Sequence, residues 1–188
     1  MKKRVWQRLL SVRRLDLLDP SSLDIEIEDI AHGLSFLSRW NGQTRGTHGF
    51  SVAEHSLLVE QIFKTIYPNT MIKWQMAALL HDASEYVIGD LISPVKNRIG
   101  SSYVELEERL MEAINLRFGL PMNLPQSVKR KIKIADKISA GLEAIQIAGF
   151  SKDEADKLFY KSNSRKLENI SINPKTPLEA KSMFLKRH

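Results

Sequence analysis

An all-helical domain is the fold this chain predicts, and three observations predict it. Apolar residues recur at the three- and four-residue spacing of a helix through most of the length, as in Leu58, Val59, Ile62 and Ile66. Helix starts are marked: Ser51 with Glu54 makes a capping box, and Ser151 and Thr176 are suited to cap later segments. The two-residue alternation of strands is weak, limited to residues 15–18 and 24–27. With 188 residues the chain is long enough for one domain with a sizeable core and too short for two comfortable ones.

The elements follow in order. Residues 26–40, "EIEDIAHGLSFLSRW", form a first amphipathic helix, and the polar loop "NGQTRGTHGF" follows over 41–50. The capping box at Ser51 opens a second helix that runs through Tyr67, where Pro68 and Asn69 stop it. A third covers 71–87, ahead of an irregular loop marked by Gly89 and Pro94. "SSYVELEERLMEAINLRFG" is a fourth, closed by Gly119 and Pro121, and a fifth starts near Pro125 and passes Leu142. Segments beginning at Ser151 ("SKDEADKLFYKS") and Thr176 ("TPLEAKSMFLKRH") complete the domain. No internal repeat or low-complexity linker divides it.

Composition removes several classes of function. There is no cysteine, which excludes disulfide frameworks, thiolate zinc sites and thiol nucleophiles, so any metal must be held by nitrogen and oxygen. No apolar run approaches a membrane span, and Arg8, Arg13 and Arg14 interrupt the N-terminal apolar residues where a signal peptide needs an unbroken core. A cytoplasmic protein with no membrane partner is the expectation. The net charge of +6 comes from the first 14 residues, which hold six basic side chains and no acidic one; the remainder is neutral. A solvated terminus explains that cluster better than a phosphate-binding arm, and the run "KRKIKIADK" at 129–137 reads as a solvated helix face. Nucleic acid is therefore a disfavoured partner.

The polar residues on the apolar faces are the informative ones. His55 lies four residues before Val59 on the inward stripe of the second helix. Trp74, Ala77 and Ala78 are followed on one face by His81 and Glu85, with Asp82 beside them. On the fifth helix Val128, Ile132, Ala135, Leu142 and Ile145 make the stripe, and Asp136 flanks it. A single inward histidine is usually a hydrogen-bonded core residue, which is the reading for His32; His48 sits in a loop where it could touch substrate, and His188 is terminal. Four inward ionisable groups on three helices are too costly to bury without something that gathers them, and a divalent cation does so. Two imidazoles and two carboxylates suit manganese, cobalt, iron or zinc, with open positions for water and a phosphate oxygen.

In order and spacing, "SVAEHS", "LLHDASE", "GDLISPVK" and "KIADK" resemble the H...HD...D pattern of HD-domain phosphohydrolases, and more closely that of the bacterial 5′-deoxynucleotidases among them. The resemblance covers about 29–141, with the N-terminal basic segment and C-terminal helices expected to pack on this core within one domain, 1–188. It implies a helical bundle holding one metal through His55, His81, Asp82 and Asp136. Dinuclear sites of that superfamily recruit further histidines, and none lies between Asp82 and His188. It also implies Glu85 as the catalytic glutamate, with Asp82 and Arg39 in the chemistry, and Arg39, Trp40, Asp90 and Ser93 as substrate contacts. Two departures bear on selectivity: Ile92 and Ser93 stand where the family carries proline and threonine, and the 41–50 loop differs from that of close relatives.

The implied activity is release of phosphate from (deoxy)nucleoside 5′-monophosphates through a metal-activated water, in a homodimer by resemblance. Alternatives are hydrolysis of another nucleotide, such as a nucleoside triphosphate, a cyclic nucleotide or guanosine tetraphosphate, or a non-catalytic module that binds a nucleotide at the metal site. Intact Glu85 and Asp90 favour the enzyme.

Overall fold

A computed structural model describes residues 5–159, 167 and 169–188, with the side chains of 93, 94 and 97 outside the described set. The first turns form a small antiparallel hairpin, β1 (Trp6–Arg8) and β2 (Arg14–Asp16), paired so that Gln7 faces Leu15. The strand expectation at 15–18 is met only at its start, and 24–27 holds no strand: a 3-10 turn at Ser22–Asp24 leads through extended residues into α1. Everything else regular is helical: α1 (Ile27–Phe36), α2 (Val52–Ile66), α3 (Ile72–Leu79), α4 (Glu85–Ile88), α5 (Ser93–Ile99), α6 (Ser101–Arg117), α7 (Gln126–Gln146), α8 (Lys152–Leu158) and α9 (Pro177–Arg187). Part of the segment expected after Ser151, residues 160–162, lies outside the described residues.

Helix α2 is the axis of the molecule. It packs against α1, α3, α7 and α9, so its sides are covered and even polar residues on it, among them Glu54, His55 and Glu60, are buried. Its start is held by the expected capping box, in which Ser51 accepts from the Glu54 amide while the Glu54 carboxylate accepts from the Ser51 amide at 2.9 Å. Capping boxes at Ser151 and Thr176 likewise open α8 and α9. One continuous apolar cluster, from Leu15 through Ile62, Phe63, Leu110 and Ile132 to Phe184, fills the space between the helices.

Helix α5 forms where an irregular loop marked by Pro94 is expected, and two helix boundaries also differ from the sequence reading, both of which position functional residues. The first helix ends at Phe36, not Trp40. Leu37 and Ser38 are extended and bridge back to the start of α2, with Arg39 N–H donating to Phe50 O at 2.8 Å and Val52 N–H to Leu37 O at 2.9 Å. The pairing is close enough that a Cβ at Gly49 would lie 2.5 Å from the Ser38 hydroxyl oxygen, so any other residue there would force the Ser38 side chain to move. Trp40 and Asn41 then turn with φ of 56° and 51°, a left-handed conformation that a bulky residue adopts only at a cost of about 1–2 kcal/mol.

The second difference lies at the centre of the expected third helix, which breaks after Leu79 and resumes as α4 at Glu85. Three-residue hydrogen bonds tighten the intervening turn, from Ala83 N–H to Leu80 O and from Glu85 N–H to Asp82 O. His81 caps the break: its Nδ1 lies 2.9 Å from Ala78 O, the carbonyl that the Asp82 amide would take in an unbroken helix. His81 and Asp82 thus leave the helix face and turn toward α2 and α7.

Candidate active site

His55, in the first turn of α2, is fully buried, and its two ring nitrogens have different neighbours. Nδ1 lies 2.6 Å from Glu143 Oε1 and donates to it. Nε2 lies 3.4 Å from Asp82 Oδ2 and 3.4 Å from Asp136 Oδ1, yet makes no hydrogen bond. His81 repeats the arrangement, with Nδ1 donating to Ala78 O and Nε2 3.1 Å from Asp82 Oδ2 and without a hydrogen bond. With its proton on the outer side each imidazole turns a lone pair inward, the form a cation selects; with none bound, burial and Arg39 oppose a second proton on His55, but the Glu143, Asp136 and Asp82 carboxylates outweigh them and raise its pKa.

That donor set fits a divalent cation. His55, His81 and Asp82 each offer an atom within 4.8 Å of the others, and Asp136 Oδ1, on α7, lies beside His55 Nε2. Adjacent ligands of a cation held at about 2.1 Å sit about 3 Å apart, close to the 3.1–3.4 Å separations seen here. Without a cation, two buried ring nitrogens have carboxylates nearby but no hydrogen bond, an arrangement proteins avoid. The carboxylates are prepared to stay ionised. Burial works against the charge on Asp82, but the His81 and His55 imidazoles outweigh it and hold the carboxyl well below its usual range. Burial likewise opposes ionisation of Asp136, and the His55 imidazole beside it reverses the effect.

Glu143, on α7, joins the site although the sequence reading did not single it out. It is fully buried and makes four contacts: Oε1 accepts from His55 Nδ1 and, at 2.8 Å, from the Ser139 hydroxyl, while Oε2 accepts from Arg39 Nε and Trp40 Nε1, each at 2.9 Å. Burial raises its pKa, but His55 and Arg39 more than compensate, and the group is held ionised. Its signal was spacing: it lies seven residues after Asp136 and four after Ser139, on the inward face of α7. Ile145, expected on that face, is instead exposed.

Arg39 runs from Glu143 toward the cluster, with Nη1 3.8 Å from Asp82 Oδ2. Burial opposes its charge, but the Glu143, Asp82 and Asp90 carboxylates keep the guanidinium fully protonated. Trp40 anchors this turn, its indole N–H on Glu143 and its ring against Phe150 and Phe159 at centroid distances of 5.7 and 6.0 Å. Glu85 is buried at the start of α4; Oε1 lies 3.4 Å from Lys96 Nζ, and Oε2 has no partner. Burial, reinforced by the Asp82 and Asp90 charges, pushes its carboxyl up from 4.5 to about 8. Lys96 also reaches Glu107 of α6 at 3.2 Å. Asp90 is half-buried after α4, and burial raises its carboxyl too. The Ser93 side chain is outside the described residues. The remaining histidines stay apart: His32 packs on Phe36, His188 meets Phe118 edge to face, and His48 is exposed.

A cleft of about 370 Å³ opens from the cluster between α6 and α7, with His81, Asp82 and Asp136 in its wall. Among the described residues no helix is long and apolar enough to cross a membrane.

A helical domain that gathers His55, His81 and Asp82, with Asp136 beside His55, is of the HD-domain hydrolase class. The family model for YfbR-like 5′-deoxynucleotidases matches residues 29–187, and the chain belongs to that family. An uncharacterised protein of Rhodobacter capsulatus is 58% identical over 186 residues, spanning 99% of this chain and 95% of its own.

Proposed function

We propose that the chain releases inorganic phosphate from deoxynucleoside 5′-monophosphates in a metal-dependent hydrolysis. The observation that carries this reading is the pair of buried Nε2 atoms on His55 and His81, without hydrogen-bond partners, facing Asp82 and Asp136. In it these four residues hold one divalent cation. When bound, such a cation lowers the pKa of water from about 16 toward roughly 7 and offsets phosphate charge.

The chain's own residues do the rest. Glu85, with one oxygen unpartnered and a pKa of about 8 before a cation is counted, is suited to take the proton of the attacking water. Arg39 is charged, held through Nε, and has its Nη1 beside Asp82, so its remaining N–H groups are available to orient the phosphate. Trp40 and Glu143 hold that guanidinium in place. Asp90, just after α4, borders the sugar and excludes a 2′-hydroxyl, a role the resemblance also gives Ser93, the first residue of α5. Action in the cytoplasm as a homodimer completes the reading, and light scattering tests the second point.

The test is a phosphate-release screen of ribo- and deoxynucleoside monophosphates after chelation, with manganese, cobalt, iron and zinc restored singly. Metal-dependent release from dAMP well above that from AMP is the expected result. Comparable kcat/KM for the two would remove the deoxyribose preference, and no release with any metal would remove the phosphohydrolase.

A further inference from the structure

We propose that the N-terminal hairpin formed by β1 and β2 is a docking surface for an anionic lipid leaflet. The hairpin precedes residues 29–187, the part that matches the nucleotidase family, so the proposal is independent of the reaction at the cluster. The sequence reads the charge of this terminus as a solvated end. What solvation leaves unexplained is the tip. Leu10 and Val12 stand 69% and 75% exposed at the turn, while Leu9 and Leu15 are buried and root the hairpin in the core.

The tip is held in place by its own hydrogen bonds. Val12 has a φ of 61°, a left-handed conformation rare for a β-branched residue. Three contacts fix it: Val12 N–H donates to Leu9 O at 3.1 Å, the Arg8 guanidinium donates to Val12 O, and the Ser11 amide donates to Asp29 Oδ1 of α1 at 3.0 Å. Behind the two aliphatic side chains lies a cationic face. The register sets Trp6 and Arg8 of β1 opposite Asp16 and Arg14 of β2, and the guanidinium carbons of Arg14 and Arg8 lie 4.1 and 5.5 Å from the centre of the indole. Among the described residues neither arginine pairs with a carboxylate, whereas Arg13 is taken up by Glu26 at 2.6 Å. Asp16, at the foot of the hairpin, turns its carboxylate onto the Leu18 and Asp19 amides. Lys2, Lys3 and Arg4 precede the hairpin in sequence, and no acidic residue occurs before Asp16.

Charge complementarity and shape choose the occupant. Cations around an apolar tip match a leaflet of anionic headgroups, where each cation near the surface contributes about fivefold in affinity and an indole favours the headgroup level. Apolar insertion and a basic patch reinforce each other where either alone is marginal. Such a contact is peripheral and needs no spanning helix, which the described residues lack. Nucleic acid would use the cations and the indole but has no use for two projecting aliphatic side chains. A folded protein partner would need roughly 800 Å² of complementary surface on this chain, more than a two-residue tip offers. A second copy paired here about a two-fold axis would bring like charges together.

The test is co-sedimentation of the full chain with vesicles of phosphatidylcholine, alone or with about one third phosphatidylglycerol, at low and high salt. Wild-type protein should sediment with the anionic vesicles only, and less as salt rises. Arg8→Gln combined with Arg14→Gln should weaken that binding about 25-fold, at about fivefold per charge. Leu10→Ser combined with Val12→Asn keeps every charge, and asparagine tolerates the left-handed φ, so its thermal melt should match the wild type while vesicle binding falls at least about tenfold. Because Leu10 and Val12 are exposed, this second variant reads the surface even where the arginines prove necessary for folding. Wild-type protein that stays in the supernatant, or vesicle binding that the Leu10 and Val12 variant retains in full, would overturn the proposal. So would binding to a DNA or RNA duplex in place of vesicles, or a dimer that the same variant dissociates in a protein that binds no vesicles.

Discussion

Replacing Glu143 with glutamine tests whether a residue that touches neither phosphate nor cation nonetheless sets up the site. The carboxylate accepts four hydrogen bonds, two on each oxygen: His55 at 2.6 Å and Ser139 at 2.8 Å on one, Arg39 and Trp40 at 2.9 Å each on the other. A glutamine has one acceptor oxygen, and its amide donors must face either His55 Nδ1–H or the Arg39 and Trp40 donors. Ser139 can rotate its hydroxyl, but the other three cannot reverse, so one or two buried donors lose their acceptor. The Arg39 charge also loses its closest counter-ion. Each unsatisfied buried group costs about 1–3 kcal/mol, and an unpaired buried charge more, so a loss of roughly 3–5 kcal/mol is expected. For a chain of this size that lowers Tm by about 6–15 °C. If the amide turns toward His55, the imidazole is driven to the other tautomer and its inward lone pair is lost, which should weaken metal affinity about 10- to 100-fold. Calorimetric metal titration and thermal melts with and without metal read both effects. A Glu143→Gln protein that melts and binds metal like the wild type would refute the reasoning.

Other outcomes follow from the same geometry. His55→Ala should lose tight metal binding and activity together, since its Nε2 faces both Asp82 and Asp136; stoichiometric metal by elemental analysis with full activity would contradict the ligand assignment. Glu85→Gln should keep its metal while turnover falls by about a hundredfold or more; unchanged kcat would place the base elsewhere. In metal-free protein the Glu85 carboxyl, held at about 8 against an ordinary 4.5, keeps a proton that the unfolded chain has released. Stability should therefore fall as pH rises between those values, and Glu85→Gln should flatten the slope in urea titrations; an equal slope in both proteins would contradict the burial argument.

What the sequence made legible was local. Apolar spacing and the capping boxes at Ser51, Ser151 and Thr176 are decided within a few residues, and they appear where expected. The inward position of His55 follows from helical periodicity, whereas His81 and Asp82 lie past Leu79, where the helix breaks. The break itself was not legible, because it depends on a side chain taking the place of a backbone donor at Ala78 O. Nor was the end of α1. Nothing in "SFLSRW" stops a helix; the stop comes from pairing with residues 50–52 across the intervening loop and from the room that Gly49 leaves for Ser38.

Glu143 shows why the missing part of the site had to come from the structure. On the face of α7 a carboxylate reads as an interruption of the apolar stripe, and its burial is unfavourable until two cations or potential cations are brought to it. Those partners come from α2 and from the turn after α1, 88 and 104 residues away in the chain. The same contact accounts for the left-handed Trp40: the indole N–H reaches Glu143 from that turn, so a local cost of about 1–2 kcal/mol is offset by a buried hydrogen bond to a charged acceptor, worth about 1.5–3 kcal/mol. Through one carboxylate the proposed phosphate-binding arginine and the metal-facing histidine share a support. A change that frees Arg39 from Glu143 should therefore be felt first at His55, before the fold as a whole gives way.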